Sequence, residues 1–290
     1  MVWSEKAGRA ISVMTRESSI IELAQWLKSP PGRYLLAWEQ PQLDRGVSDV
    51  FGFHALQLGL PELDALRANR MPHRWVASDA LYQPEAFDLP PVDDSMSTLG
   101  PHAGLALHCD FDALPFPSQS LDLVVLPHAL ELARDAHDTL REVERVLVPE
   151  GRVVITGFNP ASLWGLRQRA GRLRRGMGFG SGLFLPRAGD LIGYWRLRDW
   201  LRLLGFEVER GRFGCWRPPF RSQRWIDRGS WFDRMGERWW PVLGASYCLV
   251  AVKRVRGMRL VGLARSQKPA KATAPAAVAQ PRVRQLEEHI

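Results

Sequence analysis

Apolar positions along the chain fall into two kinds of run, and each kind predicts a different element. Between Ser18 and Lys28, residues Ile20, Ile21, Leu23, Ala24 and Leu27 recur at helical intervals, with Ser18 or Ser19 as caps. Pro30-Pro31-Gly32 ends that helix, and Arg33–Val50 reads as a second one in which Pro41 forces a kink or a restart. Phe53–Gly59 is a short apolar run closed by glycine, which predicts a strand. Glu62–Ala68 is a brief helix candidate and Arg74–Ala77 a further strand. From Asp79 to Gly104, Pro84, Pro90, Pro91 and Pro101 break every period, so this stretch reads as a loop or insertion.

Beyond Gly104 the pattern becomes regular. Leu105–His108 is a short strand, and Leu121–Leu126 is a continuous apolar run suited to a strand buried on both faces. Asp135–Leu147 sets Ala136, Leu140, Val143 and Leu147 on one helical face. Pro149-Glu150-Gly151 then turns the chain into the strand Arg152–Thr156. Strand, helix, turn and strand make a βαβ unit, hence a parallel sheet with a right-handed crossover. Ser162–Gly182, rich in arginine and glycine, predicts a mobile excursion, and Cys215–Trp240 a second, aromatic one. Arg196–Leu204 is an amphipathic helix stopped by Gly205, Phe206–Arg210 a strand, and Ala245–Val252 the last strand. From Gln267 an Ala/Pro/Lys-rich tail is expected to be disordered. The expected organisation is a helical segment 1–52, an α/β domain 53–264 with basic insertions near 162–190 and 215–241, and a tail 265–290.

Composition sharpens this picture at one point. The net charge of +8 is unevenly spread: residues 161–260 hold 21 Lys/Arg against 7 Asp/Glu, and eight of the twelve tryptophans. A local excess of this size points to an anionic partner and decides nothing about fold. Three readings follow: nucleic acid held by phosphate pairing and stacking, an anionic membrane met by Trp225, Trp231, Phe232, Trp239 and Trp240, or a solvated arginine face over a packed aromatic core. No apolar stretch is long enough to span a bilayer, and residues 1–14 lack the apolar core of a secretory signal. Cys109, Cys215 and Cys248 form no disulfide framework. The expected compartment is the cytoplasm.

Chemistry-bearing motifs are sparse. The chain has no HExxH, GxSxG or phosphate-binding loop, and its seven histidines show no metal spacing, so no metal site is expected. One block is informative. Asp110, Ala113-Leu114-Pro115-Phe116-Pro117, Ser120-Leu121-Asp122-Leu123-Val124-Val125, His128-Ala129-Leu130-Glu131 and Leu140–Ile155 stand in fixed order over about fifty residues. This block resembles the type 11 family of class I S-adenosylmethionine-dependent methyltransferases. Arg196–Val208 is similar to the helix and strand before that family's closing hairpin, so the likeness extends over Phe53–Val252.

The resemblance implies a Rossmann-like α/β fold, a mostly parallel sheet with a closing antiparallel strand, and methyl transfer from S-adenosylmethionine to a small or anionic acceptor. It implies a cofactor site formed by Gln57, Gly59, Asp79, Asp110, Phe111 and His128. Asp110 would meet the adenine amino group, or else cap a turn. Asp79 would meet the ribose hydroxyls, or else open the following loop. His128 would lie near the methionine portion or the acceptor, or else be a structural hydrogen-bond donor. His108 and His128 are the candidates for a base by placement. The front half departs from the family: Leu56-Gln57-Leu58-Gly59-Leu60-Pro61 stands where an acidic residue and GxGxG are expected, so only Gly59 keeps the glycine pattern. The competing expectation is a non-catalytic binding module that keeps the fold and uses its basic Arg/Trp surface.

Overall fold

The exits of one sheet's strands place the candidate residues that the structure describes. A computed structural model of the chain describes residues 22–60, 63–78, 105–178, 183–186 and 191–254. Its strands are β1 (His54–Leu58), β2 (His73–Ser78), β3 (Leu105–His108), β4 (Leu121–Pro127), β5 (Leu147–Phe158), β6 (Phe206–Gly214) and β7 (Ser246–Lys253). They form one sheet in the order β3-β2-β1-β4-β5-β7-β6. β1 to β5 are parallel, and β7 runs antiparallel between β5 and β6. The C-terminal ends of β1 to β6 therefore share one edge. Strand order reverses there between β1 and β4, the place where open α/β sheets bind ligands. Asp122 fixes this junction: its Oδ2 accepts from Phe53 N at 2.8 Å and His54 N at 3.0 Å, tying the start of β1 to β4.

The helices are α1 (Pro30–Val47), α2 (Ala129–Leu132), α3 (Ala136–Val146), α4 (Leu163–Gly176), α5 (Tyr194–Leu203), α6 (Gln223–Arg228) and α7 (Trp231–Trp239), and residues 22–27 are also helical. Pro30 and Pro31 sit in the first turn of α1, where a missing N–H costs nothing. The helix runs on through Pro41 to Val47 without restarting. α1 lays Leu35, Leu43 and Val47 against Ala55, Leu123, Val154 and Val250 on one face of the sheet. On the other face, Leu140 and Val143 of α3 and Leu197 and Leu201 of α5 join Leu56, Val124, Val153 and Leu249 in one core. Asp135 caps α3, accepting from His137 N at 2.7 Å.

Four expectations change. Residues 63–68 make turns around the Gln57 amide and not the brief helix expected from Glu62–Ala68. The Pro149–Gly151 turn is absorbed into β5 as a bulge: Leu147 pairs with Leu121 and Arg152 with Leu123, and Glu150 takes a left-handed φ of 64°. Part of the expected mobile excursion is the 14-residue helix α4, whose cap Ser162 Oγ accepts from Gly165 N at 3.1 Å. Cys215–Trp240 contains α6 and α7. The stretch Asp79–Gly104, the caps Ser18 and Ser19 and the C-terminal tail lie outside the described residues.

Candidate functional site

At the exit of β1 the backbone folds back on itself. Gly59 has φ +80°, a conformation that favours glycine, and its N–H donates to Ala77 O of β2 at 2.8 Å. A Cβ on Gly59 would stand 3.5 Å from Ala129 Cβ and 3.7 Å from Phe111 Cζ. The exits of β1, β3 and β4 thus meet at one point. Asp110 precedes Phe111, is exposed, and its carboxylate has no partner among the described residues. The loop carrying both residues is clipped to α3. Arg145 donates to Leu114 O and Phe116 O, each at 3.0 Å, while Glu142 Oε2 accepts from Leu114 N at 3.2 Å. Arg145 in turn holds the Glu142 carboxyl below its ordinary pKa.

Gln57 stands beneath this point, fully buried. Its Nε2 donates to Leu60 O at 2.9 Å, Leu63 O at 2.6 Å and Gly59 O at 3.3 Å, and its Oε1 accepts from Ala65 N at 3.0 Å. A side chain that satisfies this many backbone groups competes with a helical ladder, which is why residues 63–68 turn around it. Leu60 is drawn into a left-handed φ of 40°. Gln57 therefore shapes the β1 exit from below.

His128 also departs from the expected placement. Its backbone follows β4 at the rim, but a left-handed φ of 53° turns the ring inward, where it is fully buried. Nδ1 lies 2.9 Å from Glu131 Oε2 and Nε2 3.0 Å from Glu39 Oε1 of α1. Burial alone would depress the imidazole pKa, but Glu39 and Glu131 outweigh it and hold it at about 10. Further donors hold both carboxylates: Ser246 Oγ donates to the same Glu39 Oε1 and Phe158 N to Glu131 Oε1, both at 2.6 Å, while Glu39 Oε2 lies 3.2 Å from His128 Nε2. A protonated, enclosed imidazole is no base. Of the alternatives open in the sequence, the geometry matches the structural donor. Glu39 and Ser246 escaped sequence reasoning, because nothing local links residues 89 and 207 positions apart.

His108 is exposed, with Nδ1 3.0 Å from Ser78 Oγ. Asp79 lies outside the described residues. All three cysteines are free and buried; burial and Glu39 push Cys248 up to about 12 and Cys215 well up, so neither is a nucleophile. No cluster of His, Cys, Asp and Glu suited to a metal occurs among the described residues, and no helix there is long and apolar enough to cross a membrane. A separate groove of about 620 Å³ lies between α1, β6 and α7, lined by Trp38, Arg45, Arg212, Phe213 and Arg234. Arg210 joins Arg45 and Arg212 in the adjoining pocket over Cys248. None of Arg45, Arg210 and Arg212 has a carboxylate partner among the described residues.

Strand order, the switch point between β1 and β4 and the antiparallel β7 define the class I methyltransferase fold. Residues 74–155 match the family model described as a methyltransferase domain. Similar curated proteins include the uncharacterized protein YafS of Escherichia coli K12, 36% identical over 141 residues, covering 49% of this chain and 52% of that one. A malonyl-[acyl-carrier protein] O-methyltransferase of Halorhodospira halophila is 45% identical over 58 residues, 20% of each chain. The matches thus span about half the length of the first relative and a fifth of the second. Among solved structures, a chain of the complex between the Haloferax volcanii Trm112 methyltransferase activator and a methyltransferase aligns with TM-score 0.50 at 18% identity, covering 83% of this chain and 99% of that one.

At the strand exits the exposed, uncommitted carboxylate of Asp110 is the group that would suit an adenine amino group, and Phe111 and Ala129 are packed against the Gly59 turn beside it.

Proposed function

We propose that this chain binds S-adenosylmethionine at the exits of β1, β2 and β3 and transfers its methyl group to a small or medium acceptor, anionic in character. The observation that carries this reading is the convergence of the β1, β3 and β4 exits at Gly59, Phe111 and Ala129, beside the exposed and uncommitted carboxylate of Asp110. Asp110 accepts from the adenine amino group, and Asp79 takes the ribose hydroxyls. Gln57 and His128 are positioning residues: one sets the backbone of Gly59, the other the backbone of Ala129. The bound cofactor supplies an electrophilic sulfonium methyl, so the protein's part is to orient the acceptor for in-line attack and to exclude water. An anionic acceptor is supported by the unneutralised Arg45, Arg210 and Arg212 along the α1–β6 groove. Three buried free thiols suit a reducing compartment such as the cytoplasm.

Isothermal titration with S-adenosylmethionine and S-adenosylhomocysteine tests this. Both should bind, and Asp110→Ala should weaken them roughly ten-fold through loss of a hydrogen bond to a charged acceptor, with no change in melting temperature. Absence of heat and of any thermal shift at millimolar ligand would leave the chain as a non-catalytic module on an inherited fold.

A further inference from the structure

Helix α4 is turned by its neighbours so that leucines face solvent. Its inner face is fixed by Trp164 and Gln168. Trp164 Nε1 donates to Arg217 O at 2.8 Å, and its ring meets Phe184 edge-on at 5.3 Å. Gln168 Oε1 accepts from Phe184 N at 3.1 Å and Leu185 N at 3.0 Å, and Nε2 donates to Leu185 O at 3.2 Å. With that face inward, Leu163, Leu166, Leu173 and Met177 point the opposite way, and they are 49%, 62%, 67% and 58% exposed. Together with Ala170 they recur in steps of three and four residues, so they form one straight row.

The charge on the helix is as one-sided as its apolar row. α4 carries Arg167, Arg169, Arg172, Arg174 and Arg175 and no acidic residue. Arg167 is held by Pro219 O at 2.7 Å; the other four have no carboxylate partner among the described residues. Arg167 and Arg174 flank the row on one side and Arg169 on the other. Two exposed aromatic groups, Phe220 and Trp225, lie 5.8 Å apart and follow the 217–219 segment that Trp164 and Arg167 of α4 hold.

A soluble helix normally buries its apolar row and exposes its charges. An outward apolar row edged by arginines suits an interface that is apolar a few ångströms down and anionic above, because guanidinium groups rise to phosphate while leucines enter the acyl boundary. A nucleic acid would pair with the arginines and leave the leucine row in water. We propose that α4 is an interfacial helix that seats this chain on an anionic lipid bilayer, with Leu163, Leu166, Leu173 and Met177 inserted. This inference is independent of the methyl-transfer reading.

The test is flotation of the full chain with vesicles of mixed phosphatidylcholine and phosphatidylglycerol, against vesicles of phosphatidylcholine alone. The protein should float with the mixed vesicles only, and less so as salt rises. Leu166→Glu/Leu173→Glu should lower partition by roughly ten-fold or more, and the milder Leu166→Ser/Leu173→Ser should act in the same direction. Both variants should melt with the wild type, since these side chains face outward. Arg169→Glu/Arg174→Glu should abolish binding at any salt. No flotation with the mixed vesicles, or flotation unchanged by the leucine substitutions, overturns the proposal. So does binding to single-stranded RNA that is insensitive to those substitutions and displaces the vesicles.

Discussion

Replacing His128 by glutamine tests the buried charge cluster most directly. In the folded chain both ring nitrogens are engaged by carboxylates at 2.9 and 3.0 Å with no solvent access. Glutamine keeps some bonding capacity but removes the positive charge. Glu39 and Glu131 are then left with Ser246 and Phe158 as partners, and no counter-charge among the cluster's members. Removing one partner of a buried ion pair costs about 3–5 kcal/mol, which for a domain of this size lowers the melting temperature by roughly 6–20 °C. Differential scanning calorimetry across pH gives a sharper readout than one temperature. The His128 pKa is raised from 6.5 to about 10, so its stabilisation is complete below about 6.5 and is lost as pH rises through 10. The wild type should therefore weaken on the alkaline side. His128→Gln lacks this contribution at every pH, so its deficit should be full below about 6.5 and shrink as pH rises through 10. A deficit below about 1 kcal/mol, or one that stays constant with pH, would refute the account of a protonated imidazole between two carboxylates.

Two further substitutions probe the same edge. Gln57→Leu strands three carbonyls and one N–H and should cost about 2–4 kcal/mol; hydrogen exchange should rise first at residues 59–66, and protection unchanged there would contradict the role given to the amide. Gly214→Ala would drive a Cβ into the Trp38 indole and should cost about 1–3 kcal/mol, seen as a lower denaturation midpoint in urea; a neutral result would mean that α1 yields easily over β6.

The central sheet was legible because its middle strands are mostly apolar: Leu123–Leu126 and Val153–Ile155 have almost no other way to be buried. The block around Asp110 was legible as a likeness, and the structure supplies physical reasons for parts of it. Asp122 ties β1 to β4, and Glu142 and Arg145, three residues apart on α3, hold the loop that follows β3. What escaped had no local signature. Gln57 reads as a polar substitute for a family acid until its amide is seen wound by residues 59–65. The position of His128 at a strand exit was readable, but the direction of its ring depends on one backbone dihedral and on a glutamate 89 residues away. α4 was hidden because arginine and glycine dominate its composition, while the leucine row that marks its helical period points outward.

The reach of Glu39 also orders events in time. Its carboxylate closes onto His128 across 89 residues and onto Ser246 across 207, so the terminal strand must be in hand before the cluster is complete. Such distant closures are slow to form, and a chain emerging from the ribosome makes Ser246 long after α1. Completion of the Glu39 cluster is thus a late step of folding, and until β7 is in place the apolar sheet face that α1 covers is only partly built, the interval in which a chaperone would find this protein.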